Sequence, residues 1–512
     1  MIRAARSAAL PWVLAPAAGL AQAVSIAVPG WGQPLWWLQI ASLAVLAWCV
    51  ALAPSARSAA LRGWAFATAW LTGTFWWLFI SMHTYGGLPS VLAAIAVLAL
   101  AAFLGSYYAL AAGFWRWLAP RGPVRGALAF ATLWLGAELM RGRWFTGFPW
   151  GAGGYAHVDG PLAFLAPWIG VYGIGAVAAA IAAGLGRLPQ AWRSRRYWAA
   201  AGASALLLAA CTQVAPTHDR AAGEPLPVTL LQGNIPQDEK FEGRTGVPLA
   251  LAWYAEQLKA SRTPLVVAPE TAIPLLPQQL PEGYLQDLAE RFGRGDQAAL
   301  VGMPLGSFEQ GYTNSVVGFK PGADAYRFDK HHLVPFGEFI PPLFRWFTDL
   351  MHIPLGDFNR GSVGQPSFEW RGQRLAPNVC YEDLFGEELA ARFADPARAP
   401  TIFVNVSNIG WFGDSIAIDQ HLHISRMRAL EFARPVIRAT NTGATAIIDH
   451  RARVTQSLAP HTRGALEGQV AGREGTTPFA WWASRFGLAP LWLLALAPVL
   501  GALPRLRRRA GT

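Results

Sequence analysis

The most informative segment of this chain reads Arg374-Leu-Ala-Pro-Asn-Val-Cys380-Tyr-Glu-Asp-Leu-Phe-Gly-Glu387. A short strand-like run ends at the cysteine, and acidic, helix-compatible residues follow it. A sharp strand-to-helix turn of this kind holds a nucleophilic side chain open to substrate. The segment therefore predicts an α/β domain with Cys380 at the end of a strand.

A glutamate and a lysine upstream of Cys380 complete a candidate catalytic set. Glu270 follows the apolar run 265–268, and Lys330 begins Lys330-His-His-Leu-Val-Pro-Phe-Gly-Glu338. A glutamate takes and returns a thiol proton, and a lysine ammonium stabilises an oxyanion. The order suggests acyl transfer through a thioester. By spacing alone, each residue also fits a structural role, such as a helix N-terminal acid or a surface lysine.

The composition is that of a membrane protein. Of 512 residues, 53% are hydrophobic and only 14% are charged, against about 25% charged residues in soluble domains. The net charge of +11 comes with arginines that lie between apolar runs, which favours anionic lipid over nucleic acid as the partner. Three widely spaced cysteines indicate neither a disulfide framework nor a metal site.

Apolar segments of about 20 residues predict membrane spans. They lie at 8–28, 35–54, 64–82, 89–114, 124–141, 161–186, 197–213 and 485–503. The loops rich in arginine alternate with loops that carry little or no lysine or arginine, which predicts cytoplasmic termini and an external segment after residue 213. The first segment also resembles a cleavable signal peptide, and cleavage leaves that external placement unchanged.

The chain therefore divides into a helical membrane bundle of about eight spans and one soluble α/β domain. We predict spans one to seven in 1–213, the soluble domain in 214–484, and the last span with a basic cytoplasmic tail in 485–512. The strands predicted in the soluble domain are 228–232, 265–268, 298–302, 315–319, 401–406, 436–439 and 446–448, and the predicted helices are 250–261 and 415–432.

The local sequences around the three candidate residues resemble one superfamily. Pro269-Glu270-Thr, the segment 330–338 and Val379-Cys380-Tyr-Glu382 resemble the carbon–nitrogen hydrolases, or nitrilases. With the apolar segments, nearly the whole chain resembles the apolipoprotein N-acyltransferase family of the bacterial inner membrane. The other matching stretches are 138–141, 146–150, 231–237, 407–415, 421–431, 434–435 and 438–443.

The resemblance implies an αββα sandwich with a Glu-Lys-Cys triad. Carried over by position, Glu270 is the general base, Lys330 the oxyanion-stabilising cation and Cys380 the nucleophile. Glu338 is a supporting acid that orients Lys330.

The resemblance also implies roles around the triad. Glu382 is a second supporting acid, and the backbone around Tyr381 helps to form the oxyanion site. Phe241 stands where the family often has tryptophan, and we expect it to contact lipid. The loops 31–34, 83–88 and 144–150 are candidate walls of a lipid entry.

The implied reaction moves a fatty acyl chain from a phospholipid to the amine of the diacylglyceryl-cysteine of an apolipoprotein. It needs no cofactor, no metal and no nucleic acid, and it takes place on the periplasmic side of the inner membrane. One alternative is a membrane-anchored nitrilase or amidase that acts on a small soluble amide. Another is a permease with an inactive nitrilase-like binding domain. His331 and His332 suggest a metal site only weakly, because no third ligand is suitably spaced.

Overall fold

The computed structural model describes residues 2–188, 192–213, 220–340 and 358–510. Over these ranges the chain forms two compact units. The first comprises Met1–Phe79, Ser90–Pro216 and Leu488–Thr512, and the second Ile80–Pro89 and Thr217–Gly487. The short segment Ile80–Pro89 therefore belongs to the unit that also contains the predicted soluble domain.

The first unit is helical, and a described helix occupies each apolar segment that the sequence predicts. The helices are α1 (Ile2–Ile26), α2 (Trp36–Ala51), α3 (Ala56–Phe75), α4 (Ser90–Leu118), α5 (Pro123–Arg143), α6 (Ala166–Gly186), α7 (Arg195–Gln213) and the C-terminal helix Ala489–Ala510. Their alanine- and leucine-rich sequences favour helix. Ser55 caps α3 by accepting from the backbone N–H of Ser58 at 3.2 Å, and Pro123 occupies the first turn of α5.

Length and hydropathy identify fewer candidate membrane spans among the described helices than the eight that the sequence predicts. Among the described helices, three qualify on these criteria, at Ala9–Ile26, Ser90–Leu118 and Ala163–Gly186. The number rises to five if two helix pairs with short breaks each count as one span. Helix α2 is short, and α5 carries charged residues at both ends. A count of eight therefore stays a prediction.

The charged residues Glu138 and Arg141 of α5 form a buried pair. Arg141 Nη2 lies 3.4 Å from Glu138 Oε2, and both side chains are buried. Arg141 also donates to the Tyr108 hydroxyl at 3.0 Å and to the Trp150 carbonyl at 2.7 Å. These contacts give the two buried charges a paired, structural role.

The strands of the second unit, over its described residues, are β1 (Arg220–Ala221), β2 (Leu226–Gln232), β3 (Leu265–Val267), β4 (Ala298–Ser307), β5 (Gly311–Phe319), β6 (Tyr326–Asp329), β7 (Phe368–Trp370), β8 (Gln373–Val379), β9 (Ile402–Ser407), β10 (Val436–Thr440), β11 (Ala446–Ile448), β12 (Val454–Ser457), β13 (Gly464–Val470) and β14 (Arg473–Glu474). They form two six-stranded sheets, in the orders β12-β11-β10-β9-β8-β7 and β13-β2-β3-β4-β5-β6, and a two-stranded sheet of β1 and β14. Within each six-stranded sheet the central strands, β2-β3-β4 and β8-β9-β10, run parallel.

Helices cover the outer faces of the two sheets. They are α8 (Gly246–Ala260), α9 (Tyr284–Gly293), α10 (Gly386–Ala390), α11 (Ala417–Phe432) and α12 (Pro478–Phe486). Alternate residues of both sheets, such as Val228 and Val404, pack in a shared core. The intervening residues pack outward, Val266 against α8 and α9 and Phe403 against α11 and α12. The predicted αββα sandwich is confirmed.

The buried strands were easier to predict than the peripheral ones. Each predicted strand overlaps an observed strand in sequence, and the predicted helices 250–261 and 415–432 overlap α8 and α11. The short strands β1, β6, β7 and β14 were not predicted. Nor were β12, whose residues are all exposed, and β13, which alternates between partly buried and exposed positions. Neither strand has the continuous apolar run that marks a buried strand.

Candidate active site

The turn at Cys380 has the predicted geometry. Cys380 directly follows β8 and begins a 3₁₀ turn, Cys380–Leu384. Its φ angle is +50°, a left-handed conformation that costs a residue with a side chain about 1 kcal/mol. The Glu382 carboxylate accepts from the backbone N–H of Val379 at 2.7 Å and so ties the two sides of the turn together. Cys380 keeps part of its surface exposed.

Glu270 is held just beyond β3, at the carboxyl end of a parallel strand. Its Oε1 accepts from Asn314 Nδ2 at 2.7 Å, and its Oε2 accepts from the backbone N–H of Asn408 at 2.8 Å. The next residue, Thr271, has a φ angle of +48°. These contacts fix the carboxylate in one orientation.

Lys330 follows β6 and lies between two carboxylates. Its ammonium Nζ donates to Glu338 at 2.9 Å and to Glu270 Oε1 at 3.4 Å, and the residue is only 1% exposed. Burial alone lowers the pKa of Lys330, but Glu338 and Glu270 more than offset burial, so the pKa is raised. Lys330 therefore stays charged, as an oxyanion-stabilising cation must.

The charges of Glu270 and Lys330 both affect the pKa of the Cys380 thiol. Burial, followed by the negative charge of Glu270, raises the pKa of the Cys380 thiol to about 12. Lys330 and a hydrogen bond with Ser407 act in the opposite direction. The thiol is therefore protonated at neutral pH, and its attack on a carbonyl requires a base that takes the proton.

Glu338 and Glu382 hold the backbone around the site. Glu338 accepts from Asn314 Nδ2 at 2.8 Å and from the backbone N–H of Val334 at 2.8 Å. Glu382 accepts from the backbone N–H of His331 at 2.7 Å, so it joins the Cys380 turn to the segment that carries Lys330. Both acids were predicted as supporting residues, and the structure brings both to the site.

Tyr381 is buried beside His332 of the 330–338 segment. Its ring meets Phe385 at 5.3 Å and His332 at 5.6 Å between centroids. His332 lies 3.0 Å from a Glu388 oxygen, and His331 Nδ1 lies 2.7 Å from the Gly361 carbonyl. In the described part of the chain, no group of three His, Cys, Asp or Glu side chains could hold a metal ion.

Phe241 belongs to a partly exposed group of rings, Phe241, Trp411 and Tyr85, which we call the aromatic cluster. Phe241 is 52% exposed. Its ring stacks on Trp411 with centroids 6.4 Å apart, and Trp411 meets Tyr85 edge-to-face at 6.0 Å. Tyr85 comes from the predicted loop 83–88, so one candidate wall does reach this group. An exposed apolar surface of this kind suits an acyl chain.

Full-length relatives place this chain in a family. An apolipoprotein N-acyltransferase from Verminephrobacter eiseniae (strain EF01-2) is 61% identical over 518 residues, which cover 95% of each chain. Another from Ralstonia nicotianae (strain ATCC BAA-1114 / GMI1000) is 48% identical over 484 residues, 93% of this chain and 90% of the relative. The chain belongs to the apolipoprotein N-acyltransferase family. It is an N-acyltransferase.

Two family models match separate parts of the chain. Residues 9–184 match the N-terminal domain of the apolipoprotein N-acyltransferases, and residues 228–477 match the carbon–nitrogen hydrolases. Among solved structures, a carbon–nitrogen hydrolase superfamily protein from Xanthomonas campestris is similar, with 19% identity and a TM-score of 0.37. The match covers 52% of this chain and 96% of that chain.

Two residues of this N-acyltransferase site were not predicted. Asn314 donates to both Glu270 and Glu338 from strand β5, whose sequence gave no signal for this role. Lys240 is 1% exposed and donates from Nζ to the Glu270 carbonyl at 3.1 Å. Burial lowers the pKa of Lys240 to about 7, although Glu270 and Cys380 oppose the shift. Its place directly after the 231–237 motif was the available signal.

Proposed function

We propose that this N-acyltransferase moves a fatty acyl chain from a membrane phospholipid to the N-terminal amine of the diacylglyceryl-cysteine of an apolipoprotein. Cys380 carries the acyl group as a thioester between the two steps. The observation that carries the proposal is the contact of the Lys330 ammonium with both Glu270 and Glu338, beside the turn that holds Cys380. This arrangement supplies a base, a cation and a nucleophile together.

In the first step, the Cys380 sulfur attacks the ester carbonyl of the phospholipid while Glu270 takes the thiol proton. Lys330 and the backbone N–H of Tyr381 stabilise the negative oxygen of the tetrahedral intermediate. The intermediate then expels the lysophospholipid oxygen, which receives the proton from Glu270. The products are a lysophospholipid and an acyl thioester on Cys380.

In the second step, the neutral amine of the acceptor attacks the thioester carbonyl. Glu270 accepts a proton from the attacking nitrogen and returns it to the Cys380 sulfur as the sulfur leaves. The products are an amide and the free thiol, so the enzyme is regenerated without a cofactor. The same oxyanion donors serve both steps.

Both proposed substrates are anchored in lipid, and this places the reaction at a bilayer surface. The apolar helices of the first unit and the exposed aromatic cluster support that placement. We propose eight spans, with domain limits at 1–213, 214–484 and 485–512. The catalytic domain then lies on the periplasmic side of the bacterial inner membrane.

The proposal is tested by looking for the covalent intermediate. Purified full-length protein is incubated with phospholipid vesicles and no acceptor. We expect one fatty-acyl mass on the peptide that contains Cys380, released by neutral hydroxylamine as a thioester is. The adduct should disappear when a diacylated lipopeptide is added, and initial rates should follow a ping-pong pattern.

Matched cysteine variants serve as controls. Cys380→Ala should give neither adduct nor turnover, whereas Cys49→Ala and Cys211→Ala should behave like the unaltered protein. An unmodified Cys380 together with an active Cys380→Ala variant would overturn the mechanism. Turnover of a small soluble amide without any acylation from phospholipid would favour the amidase alternative.

A further inference from the structure

A buried hydrogen-bonded chain reaches the main chain of Cys380 from α11 and β10. Arg438 lies on β10, His421 and Ser425 lie on α11, and Asp383 lies in the 3₁₀ turn after Cys380. Three of these side chains are 0% exposed and Asp383 is 1% exposed. His421 and Arg438 lie in stretches that match the family, but no role was predicted for either residue.

These contacts connect the charged side chain of Arg438 to the peptide group of Cys380 through His421. Arg438 Nη2 lies 3.0 Å from His421 Nδ1, and His421 Nε2 lies 3.2 Å from the Cys380 carbonyl oxygen. Arg438 Nη1 also holds the His421 carbonyl at 3.1 Å. Asp383 pairs with Arg438 at 3.6 Å, and Ser425 bonds to both of them.

These partners determine the tautomer of His421. An arginine has only donors, so His421 Nδ1 must accept from it. A neutral imidazole then carries its proton on Nε2, which donates to the Cys380 carbonyl. Burial and the neighbouring charge of Arg438 hold the pKa of His421 well below its usual range, which keeps the ring neutral.

The Cys380 carbonyl and the Tyr381 N–H belong to one peptide group. The bond between them is trans, so the oxygen and the N–H point in opposite directions from a rigid plane. A donor that holds the oxygen therefore also directs the N–H. It also polarises the peptide and strengthens the N–H as a donor, since linked hydrogen bonds reinforce one another.

We propose that His421, backed by Arg438, is a positioning residue that aims and polarises the Tyr381 N–H toward the oxyanion formed during acyl transfer. The inference rests on the proposed function, because it needs a tetrahedral intermediate on Cys380. The path runs from the guanidinium of Arg438 through the imidazole and one peptide to the negative oxygen. Asp383 keeps the guanidinium in place, and neither Arg438 nor His421 touches the substrate.

Acylation and alkylation of the Cys380 sulfur distinguish a positioning role of His421 from a purely structural role. Acylation by phospholipid passes through an oxyanion, whereas alkylation by iodoacetamide displaces iodide and forms none. In the full-length enzyme, His421→Leu should slow acylation of Cys380 by about tenfold or more. This loss of rate should be smaller than the loss caused by removing a direct oxyanion donor. The same variant should change the alkylation rate of Cys380 by less than about twofold, because only the oxyanion needs the polarised N–H.

Conservative and control variants complete the test. His421→Gln keeps a donor at the reach of Nε2, so it should restore most of the acylation rate. His423→Gln alters another buried histidine of α11, which is paired with Arg426 at 3.3 Å, and should leave both rates unchanged.

Each other outcome contradicts the inference. Equal loss of acylation and alkylation in His421→Leu, or no loss of either, would show that His421 does not act on the oxyanion site. Failure of His421→Gln to recover acylation while it still alkylates normally would also overturn the inference. An unaltered enzyme that never acylates Cys380 would overturn the proposed function itself.

Discussion

At the scale of single residues, the Cys380 thiol is protonated at neutral pH. Its pKa is raised to about 12 by burial and by Glu270, against about 8.5 for a free cysteine. The charge on Glu270 that raises this pKa also makes Glu270 available to take the proton. The site therefore couples formation of the thiolate to the attack.

The raised thiol pKa predicts a steep pH dependence. The thiolate fraction grows tenfold with each pH unit below the pKa, so alkylation of Cys380 should rise without a plateau between about pH 7 and pH 10. Mass spectrometry of the iodoacetamide-treated Cys380 peptide measures the rate. A plateau near pH 8.5 would show that the thiol has an ordinary pKa.

Glu270 and Lys330 should matter for chemistry more than for folding. Glu270→Gln and Lys330→Met should each lower acyl transfer at least about 10²-fold, because they remove the base and the oxyanion cation. Expression and membrane insertion should be retained. Lys259→Met is the control, since Lys259 forms only an exposed pair with Asp287 at 3.4 Å. Near-normal turnover in either test variant would remove that residue from the proposed triad.

At the scale of elements, two sheets present their strand ends to one site. Glu270 follows the parallel strand β3, and Cys380 follows the parallel strand β8 of the other sheet. Lys330 follows the edge strand β6 and completes the group. Because the sheets share one packed core, these residues from distant parts of the chain are held at fixed positions.

The aromatic cluster predicts a specific effect on lipid use. Phe241→Ala should slow acylation from phospholipid vesicles, because it removes an exposed ring that stacks on Trp411. Phe241→Trp should be tolerated, since it keeps an aromatic face. Alkylation of Cys380 by iodoacetamide should be the same in both variants, because the reagent needs no lipid contact. Equal lipid acylation in both variants and the unaltered enzyme would mean that the ring has no role in lipid use.

At the scale of the whole molecule, the arginine pattern predicts the orientation in the membrane. Arg195 and Arg196 lie at the start of α7, and residue 222 lies beyond its end. A topology reporter fused after Arg196 should report the cytoplasm, and one fused near Ala222 should report the external side. The two fusions control for each other because they flank one predicted span. The reverse pattern at both positions would contradict the orientation and the proposed substrates together.

Local sequence was sufficient for most of the buried strands, for the helices of the first unit, for α8 and α11, and for the turn at Cys380. It did not predict α9, α10 and α12. Apolar runs such as 402–407 must be shielded on both faces, and this requirement marks a strand inside a layered fold. Local sequence also made Glu270, Lys330 and Cys380 candidates, since each lies close to a predicted strand end. The roles of Glu338 and Glu382 came from the resemblance to the family. The number of spans was harder to predict, because short or charged helices such as α2 and α5 depend on their neighbours for burial.

The class of domain, the family and the candidate nucleophile could be predicted from the sequence, because those signals lie within a few neighbouring residues. The tertiary structure was needed to show that Asn314 joins Glu270 to Glu338, across 44 and 24 positions of sequence. It alone showed that Lys240 is buried against Glu270 and that His421 reaches the Cys380 carbonyl. These contacts depend on strand register and on how helices pack over the sheets. Register and packing result from the whole core, so no local pattern encodes them.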